Sequence, residues 1–319
     1  MRKFLPYIFL VLGAVATTLL LCSHINTVKE VAAPESTTSV AQTVTEATTK
    51  KEASEEATTE ATTKAITTEV KKPSTTLPYV KNSVSPFKEI RTPGVSYCVP
   101  YSKSVPQGFF DDVVFVGDSV STGLKYYCMK NPSLGKATFL TSVSLAVDNS
   151  MWDLNNKNAV HPTYKGEKVI VSDGIQKCGK KKVFIMLGIN DLARCSVDET
   201  FENFKKLTDE ILKKSPDVTF YVQSVTPLVK NRGVLTNEKV NQYNARVSSY
   251  CRKQKWYFLD VASVFRNQNG ALQVKYCSDP KKMGIHFSDE ACAIWVKYLY
   301  THSASDGVAV SVPERGRGR

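Results

Sequence analysis

The chain predicts a three-layer α/β/α sandwich built on a parallel sheet, and three observations predict it. Five short apolar runs, at 112–116, 137–143, 182–187, 218–225 and 256–260, read as strands. These runs are near-continuously hydrophobic rather than alternating, as strands covered on both faces must be. Amphipathic segments separate them, and alternating β and α elements imply parallel pairing with helices on both sides. Ligands of such sheets bind at the carboxyl ends of the strands. The residues just beyond each run are therefore where chemistry is expected.

The predicted helices are 120–130, about 146–155, 167–178, 198–214, 236–254 and 288–301. The segment 198–214 shows the helical period most clearly, with Phe201, Phe204, Leu207, Ile211 and Leu212 on one side and charged residues opposite. Ser288 is a natural N-cap for the last helix, and Asp289 and Glu290 suit its positively polarised first turn.

Not all of the 319 residues can belong to this sandwich. Residues 1–30 read as a signal peptide or signal anchor, with basic residues Arg2 and Lys3 ahead of an apolar run from Phe4 to Cys22. Leucine just before Cys22 argues against a lipoprotein signal, which needs a small residue there, and the anchor is the favoured reading. Residues 31–78 are rich in Thr, Ala and Glu, repeat Ala-Thr-Thr, and lack the large apolar side chains that offset the entropy of ordering. They read as a disordered stalk between a membrane segment and the domain at 79–303, and residues 304–319 read as a disordered basic tail. The expected location is the extracellular side of the cell membrane, or secretion.

The formal net charge is +12, which suits anionic surfaces or ordinary solubility, and no segment has the pattern of a nucleic-acid module. Of eight cysteines, one lies in the apolar run. The other seven (Cys98, Cys128, Cys178, Cys195, Cys251, Cys277 and Cys292) include no Cys-x-x-Cys pair, so no metal site of the usual spacing is expected. A single bridge through Cys98 or Cys277 stays open.

Three blocks carry chemistry. Gly117-Asp118-Ser119 follows the first strand and opens a helix, where free N–H groups and the helix dipole favour developing negative charge. Gly188-Ile189-Asn190-Asp191 follows the third strand, and Gly284-Ile285-His286-Phe287 precedes the last helix. A serine, a carboxamide and an imidazole suffice for acyl transfer. Ser119 would attack, His286 would take and return the proton, and Asn190 would donate to the oxyanion. Gly117, Asp118 and Gly188 would shape the turns.

In order and spacing these blocks resemble the SGNH, or GDSL-type, hydrolase superfamily over about 110–302. The resemblance implies a flavodoxin-like sheet, ester hydrolysis or acyl transfer through an acyl-serine, and no cofactor or metal. It assigns the nucleophile to Ser119, the base to His286 and an oxyanion donor to Asn190, beside the backbone N–H of Ser119. The family usually carries an aspartate three residues before the histidine, and Met283 stands there. Asp279 could substitute if its loop folds back; otherwise a backbone carbonyl would orient His286 in a Ser–His dyad. The family's oxyanion glycine after the second strand is also missing, and the backbone N–H of Ser144 or a neighbour would replace it. The expected activity is that of an exported, membrane-tethered serine esterase acting on acyl esters, acetyl above all, of a small molecule or a surface carbohydrate. An O-acyltransferase of wall polymers would use the same residues. A degenerate glycan-binding module is the competitor that Met283 favours.

Overall fold

A computed structural model of the chain describes residues 85–303. The apolar run, the stalk, the basic tail and residues 79–84 of the expected domain lie outside the described residues.

Five strands form one parallel sheet: β1 (Val113–Gly117), β2 (Thr138–Thr141), β5 (Lys182–Met186), β6 (Thr219–Gln223) and β7 (Tyr257–Leu259). Their order is β2-β1-β5-β6-β7, the flavodoxin-like arrangement, and it reverses direction between β1 and β5. The two remaining strands, β3 (Thr163–Tyr164) and β4 (Glu167–Lys168), make a small antiparallel hairpin. The helices are α1 (Ser119–Lys130), α2 (Val171–Cys178), the single turn α3 (Ile189–Leu192), α4 (Val197–Lys214), α5 (Asn237–Gln254) and α6 (Asp289–His302).

Strand parity assigns each side chain to a layer. Val114, Val116, Val183, Ile185, Phe220, Val222 and Phe258 pack with α2, α4 and α5 in one core. Val113, Phe115, Phe184, Met186, Tyr221, Tyr257 and Leu259 pack with α1 and α6 in the other. The second face carries one aromatic ring per strand, all at the same height. Phe139, Phe115, Phe184, Tyr221 and Tyr257 are successive register partners across all five strands. Neighbouring centroids in this row lie 4.9, 5.2, 4.5 and 4.6 Å apart, and three of the four contacts are stacked.

The long helices start where their caps dictate. Ser196 accepts from Glu199 N–H, Thr236 from Lys239 N–H and Ser288 from Ala291 N–H. Ahead of the first strand, the segment from Ile90 runs along the sheet edge, where the Thr92 hydroxyl and N–H both donate to the buried Asp260 carboxylate.

Two expected helices are corrected. Residues 146–155 form a loop with one 3-10 turn at Asn149–Met151. Asn149 Oδ1 accepts from Ala146 N–H and the Asp191 carboxylate from Val147 and Asp148 N–H, which ties the segment to the loop after β5 along a non-helical path. The helix expected at 167–178 begins only at Val171, because β3 and β4 turn at Lys165 and Gly166, both at positive φ (50° and 89°). The open question of a bridge also resolves: all seven cysteines among the described residues are free.

Candidate active site

The three sequence blocks emerge at the carboxyl ends of β1 and β5 and just before α6. The first two straddle the switch point of the sheet, where the chain leaves a crevice. Gly117 is the last residue of β1, and a Cβ there would come within 2.1 Å of Ser121 Oγ. Asp118 then caps α1, its buried carboxyl accepting from Val120 N–H at 2.9 Å. Ser119 is the first residue of α1. Burial pushes the Asp118 carboxyl up to about 7, against the pull of the Val120 and Ser121 N–H groups and of His286.

His286 reaches Ser119 from the far end of the chain, with Nε2 2.9 Å from Oγ. The other ring nitrogen, Nδ1, lies 2.7 Å from Asp279 Oδ2. With the Nδ1 proton directed at the carboxylate, the Nε2 lone pair faces the serine hydroxyl. The loop does fold back, and backbone pairing is the reason. Cys277 and Phe287 form an antiparallel bridge, Ser278 N–H donates to His286 O at 2.9 Å, and Ser288 N–H donates to Tyr276 O at 2.9 Å. Across this neck Asp279 faces Ile285 and His286, and its Oδ1 accepts from both of their N–H groups, at 3.2 and 3.1 Å. Seven residues of separation thus place Asp279 beside the ring, and the dyad held by a backbone carbonyl is not what the loop builds. Met283 is 52 % exposed at the tip. Burial alone would raise the Asp279 carboxyl, but hydrogen bonds from the His286 ring, the Cys277 thiol and the His286 N–H outweigh it and hold it below the usual carboxylate range.

The loop after β2 is assembled opposite. Ser144 sits at φ 63°, the left-handed conformation for which glycine is the ordinary choice, so the backbone takes a glycine-like turn without one. Asn149 Nδ2 donates to Ser144 O at 3.2 Å, and Asn190 Nδ2 donates to Leu145 O at 2.9 Å. Among the described residues, the N–H groups of Ser119 and Ser144 donate to no protein acceptor. One Nδ2 proton of Asn190 also remains. These are the donors that an oxyanion requires. Gly188, at φ 134°, lets the β5 end pass Tyr243; a Cβ there would lie 2.6 Å from the Tyr243 ring.

Sequence reasoning left three residues out. Asp191, buried beside Asn190, accepts from the N–H groups of Val147 and Asp148 at 2.9 and 3.2 Å and so fixes the Ser144 loop. Burial raises its carboxyl to about 6, against those two hydrogen bonds. Asn149 stitches the same loop from within. Cys277 donates to Asp279 Oδ1 at 3.2 Å. The adjacency of Asp191 to Asn190 was the one signal available for any of them. Among the described residues, no group of His, Cys, Asp or Glu is arranged to hold a metal ion, and no helix is long and apolar enough to cross a membrane.

Two curated proteins of Streptococcus agalactiae, the N-acylneuraminate cytidylyltransferases of serotypes III and Ia, are each 29% identical to this chain over 111 residues, 34% of this chain and 25% of theirs. The chain therefore spans about a quarter of the length of these curated relatives. Similar solved structures include a GDSL-like lipase of Bacteroides thetaiotaomicron, at 18% identity and TM-score 0.46, covering 61% of this chain and 88% of that one. Another is a carbohydrate esterase family 3 protein of Talaromyces cellulolyticus, at 12% identity and TM-score 0.42, covering 59% of this chain and 93% of that one. A family model matches residues 115–294, from within β1 into α6, and by that match the chain belongs to the GDSL-like lipase/acylhydrolase family.

Proposed function

We propose that this acylhydrolase is an exported serine esterase that removes acyl groups, acetyl above all, from a carbohydrate at the cell surface, and that residues 4–22 tether it to the membrane. The observation that carries the mechanism is the continuous chain Ser119 Oγ, His286 Nε2, His286 Nδ1, Asp279 Oδ2, with links of 2.9 and 2.7 Å. His286 takes the Ser119 proton as Oγ attacks the ester carbonyl carbon. The tetrahedral oxyanion is met by the Ser119 and Ser144 N–H groups and by Asn190 Nδ2. The intermediate collapses as His286 passes the proton to the leaving alcohol, and acyl-Ser119 remains. Water then gives its proton to His286 and its oxygen to the acyl carbon, and the carboxylic acid leaves as Ser119 regains its proton. Asp279 keeps Nδ1 protonated and stabilises the imidazolium at both transfers.

Support for the substrate class is of a different kind. An apolar leader followed by a Thr-rich stalk suits a domain held out among wall polymers. The curated relatives over 111 residues are named for N-acylneuraminate, a sugar acid. The test is acetate release by the full chain from p-nitrophenyl acetate and from O-acetylated sugars, beside Ser119→Ala and His286→Ala. Loss in both variants is expected. Equal hydrolysis by Ser119→Ala would overturn the serine mechanism, and activity that appears only with a glycan acceptor would make the protein a transferase. Export is read separately, by fractionating cells that express the chain with and without residues 1–30.

A further inference from the structure

The acid that orients His286 is itself oriented, and the Cys277 thiol takes part. Asp279 Oδ2 is committed to the imidazole, while Oδ1 collects three donors: Ile285 N–H, His286 N–H and Cys277 Sγ–H. The two backbone donors come from the segment that carries His286. Only the thiol comes from the Asp279 side of the neck, so only the thiol fixes the carboxylate relative to its own backbone. Cys277 is held there by its bridge to Phe287, by Cys277 N–H donating to Val274 O at 3.1 Å and by burial, with 7% of its surface exposed. Burial pushes its thiol up to about 11, so near neutrality Sγ keeps its proton and can only donate towards the carboxylate. An S–H donor is weak towards neutral oxygen and stronger towards a carboxylate.

We propose that Cys277 is a positioning residue for the acyl-transfer site: its thiol proton holds Asp279 Oδ1 so that Oδ2 stays on His286 Nδ1. This rests on the reading of Ser119, His286 and Asp279 given above. Two effects follow from one hydrogen bond. The thiol restricts rotation of the carboxylate, which favours catalysis. It also draws charge from Asp279, which lowers the carboxylate's attraction for the imidazolium. Removing the donor slows the reaction and frees the Asp279 carboxylate to turn away from His286 Nδ1. The other carboxyl that interacts with the ring is Asp118, at the start of α1, which burial raises to about 7.

The experiment compares Cys277→Ser, which keeps a donor, with Cys277→Ala and with Cys277→Val, which fills the volume without one. The proton between His286 Nδ1 and Asp279 Oδ2 is followed by NMR, which needs no turnover, and p-nitrophenyl acetate kinetics are run in parallel. Cys277→Ala and Cys277→Val are expected to shift and broaden the resonance of the proton shared by His286 Nδ1 and Asp279 Oδ2. They should also lower kcat by roughly three- to tenfold at unchanged KM, with Cys277→Ser close to the native chain in both readouts. An Nδ1 proton resonance in Cys277→Val that matches the native chain would overturn the proposal, as would a Cys277→Ser variant as perturbed as Cys277→Ala. Failure of the serine mechanism would look different: the native chain would show no Ser119-dependent hydrolysis, while the Nδ1 proton resonance would still report on Cys277.

Discussion

The side-chain amide of Asn190 donates to the carbonyl oxygen of Leu145 across 2.9 Å, joining the loop after β5 to the loop after β2. The bond fixes the carboxamide beside the turn that carries Ser144 and leaves one Nδ2 proton for the oxyanion. Asn190→Ala should lower kcat by about 10²–10³ with a small change in KM, as removal of one preorganised oxyanion donor does. Steady-state kinetics on an activated ester decide it. A loss confined to KM would make Asn190 a binding residue instead.

Asp279 and His286 face each other across a paired neck, so the acid should matter as much here as it would three residues before the histidine. Asp279→Asn is expected to cut kcat by roughly 10²–10⁴, because the amide favours the wrong imidazole tautomer. Circular dichroism should show the fold intact. Retention of full activity would return the site to a dyad and leave Asp279 a loop-closing residue.

Asp118 gives the fold a pH dependence of unusual sign. Its carboxyl, raised by burial from 3.8 to about 7, stays protonated in the folded chain over a range where the unfolded chain has lost that proton. The unfolded state then binds fewer protons, so this group's contribution to stability falls as pH rises from about 4 to 7 and levels off above. Asp191, raised to about 6 by burial, acts in the same direction. Asp118→Asn keeps an acceptor for Val120 N–H and removes the titration. Its stability relative to the native chain should increase between pH 4 and pH 7, by at most about 4 kcal/mol. Urea melts at several pH values measure the difference, and a constant offset would refute the burial argument.

Gly188 makes room for Tyr243, whose hydroxyl donates to Leu187 O at 3.2 Å. Gly188→Ala meets both a positive φ and the ring, and should cost about 2–4 kcal/mol. Thermal melts check the loss. Part of it should return in the double variant Gly188→Ala, Tyr243→Leu, where the ring no longer stands in the way.

The sheet, five of its strand positions and the three motif blocks were legible in the sequence because each is local. Apolar runs mark strands, and Gly-Asp-Ser, Gly-x-Asn-Asp and Gly-x-His mark their ends. What escaped was set by pairing between distant segments. The proximity of Asp279 to His286 depends on the bridge of Cys277 to Phe287, which the seven-residue spacing does not reveal. The segment 146–155 reads as a helix, but the Asp191 carboxylate, more than 40 positions away, accepts from Val147 and Asp148 N–H and anchors the segment as a loop. Ser144 at positive φ is equally silent, since serine carries no sign of that conformation. The division of the strands between two cores is hidden for another reason: both faces are apolar, so no alternation shows which side chain points where.

The row of five rings across the sheet bears on how this protein can fail. A strand displaced by one position would turn its ring to the opposite core, and the stacks on both sides of it would be lost together. Ser119 leaves β1 and Asn190 leaves β5 at heights counted from Phe115 and Phe184, which are direct partners in that row. Registry errors are therefore all-or-nothing for the crevice. A mispaired molecule would carry no usable site at all rather than a sluggish one, and a damaged preparation would show fewer competent molecules, each still turning over at the native rate.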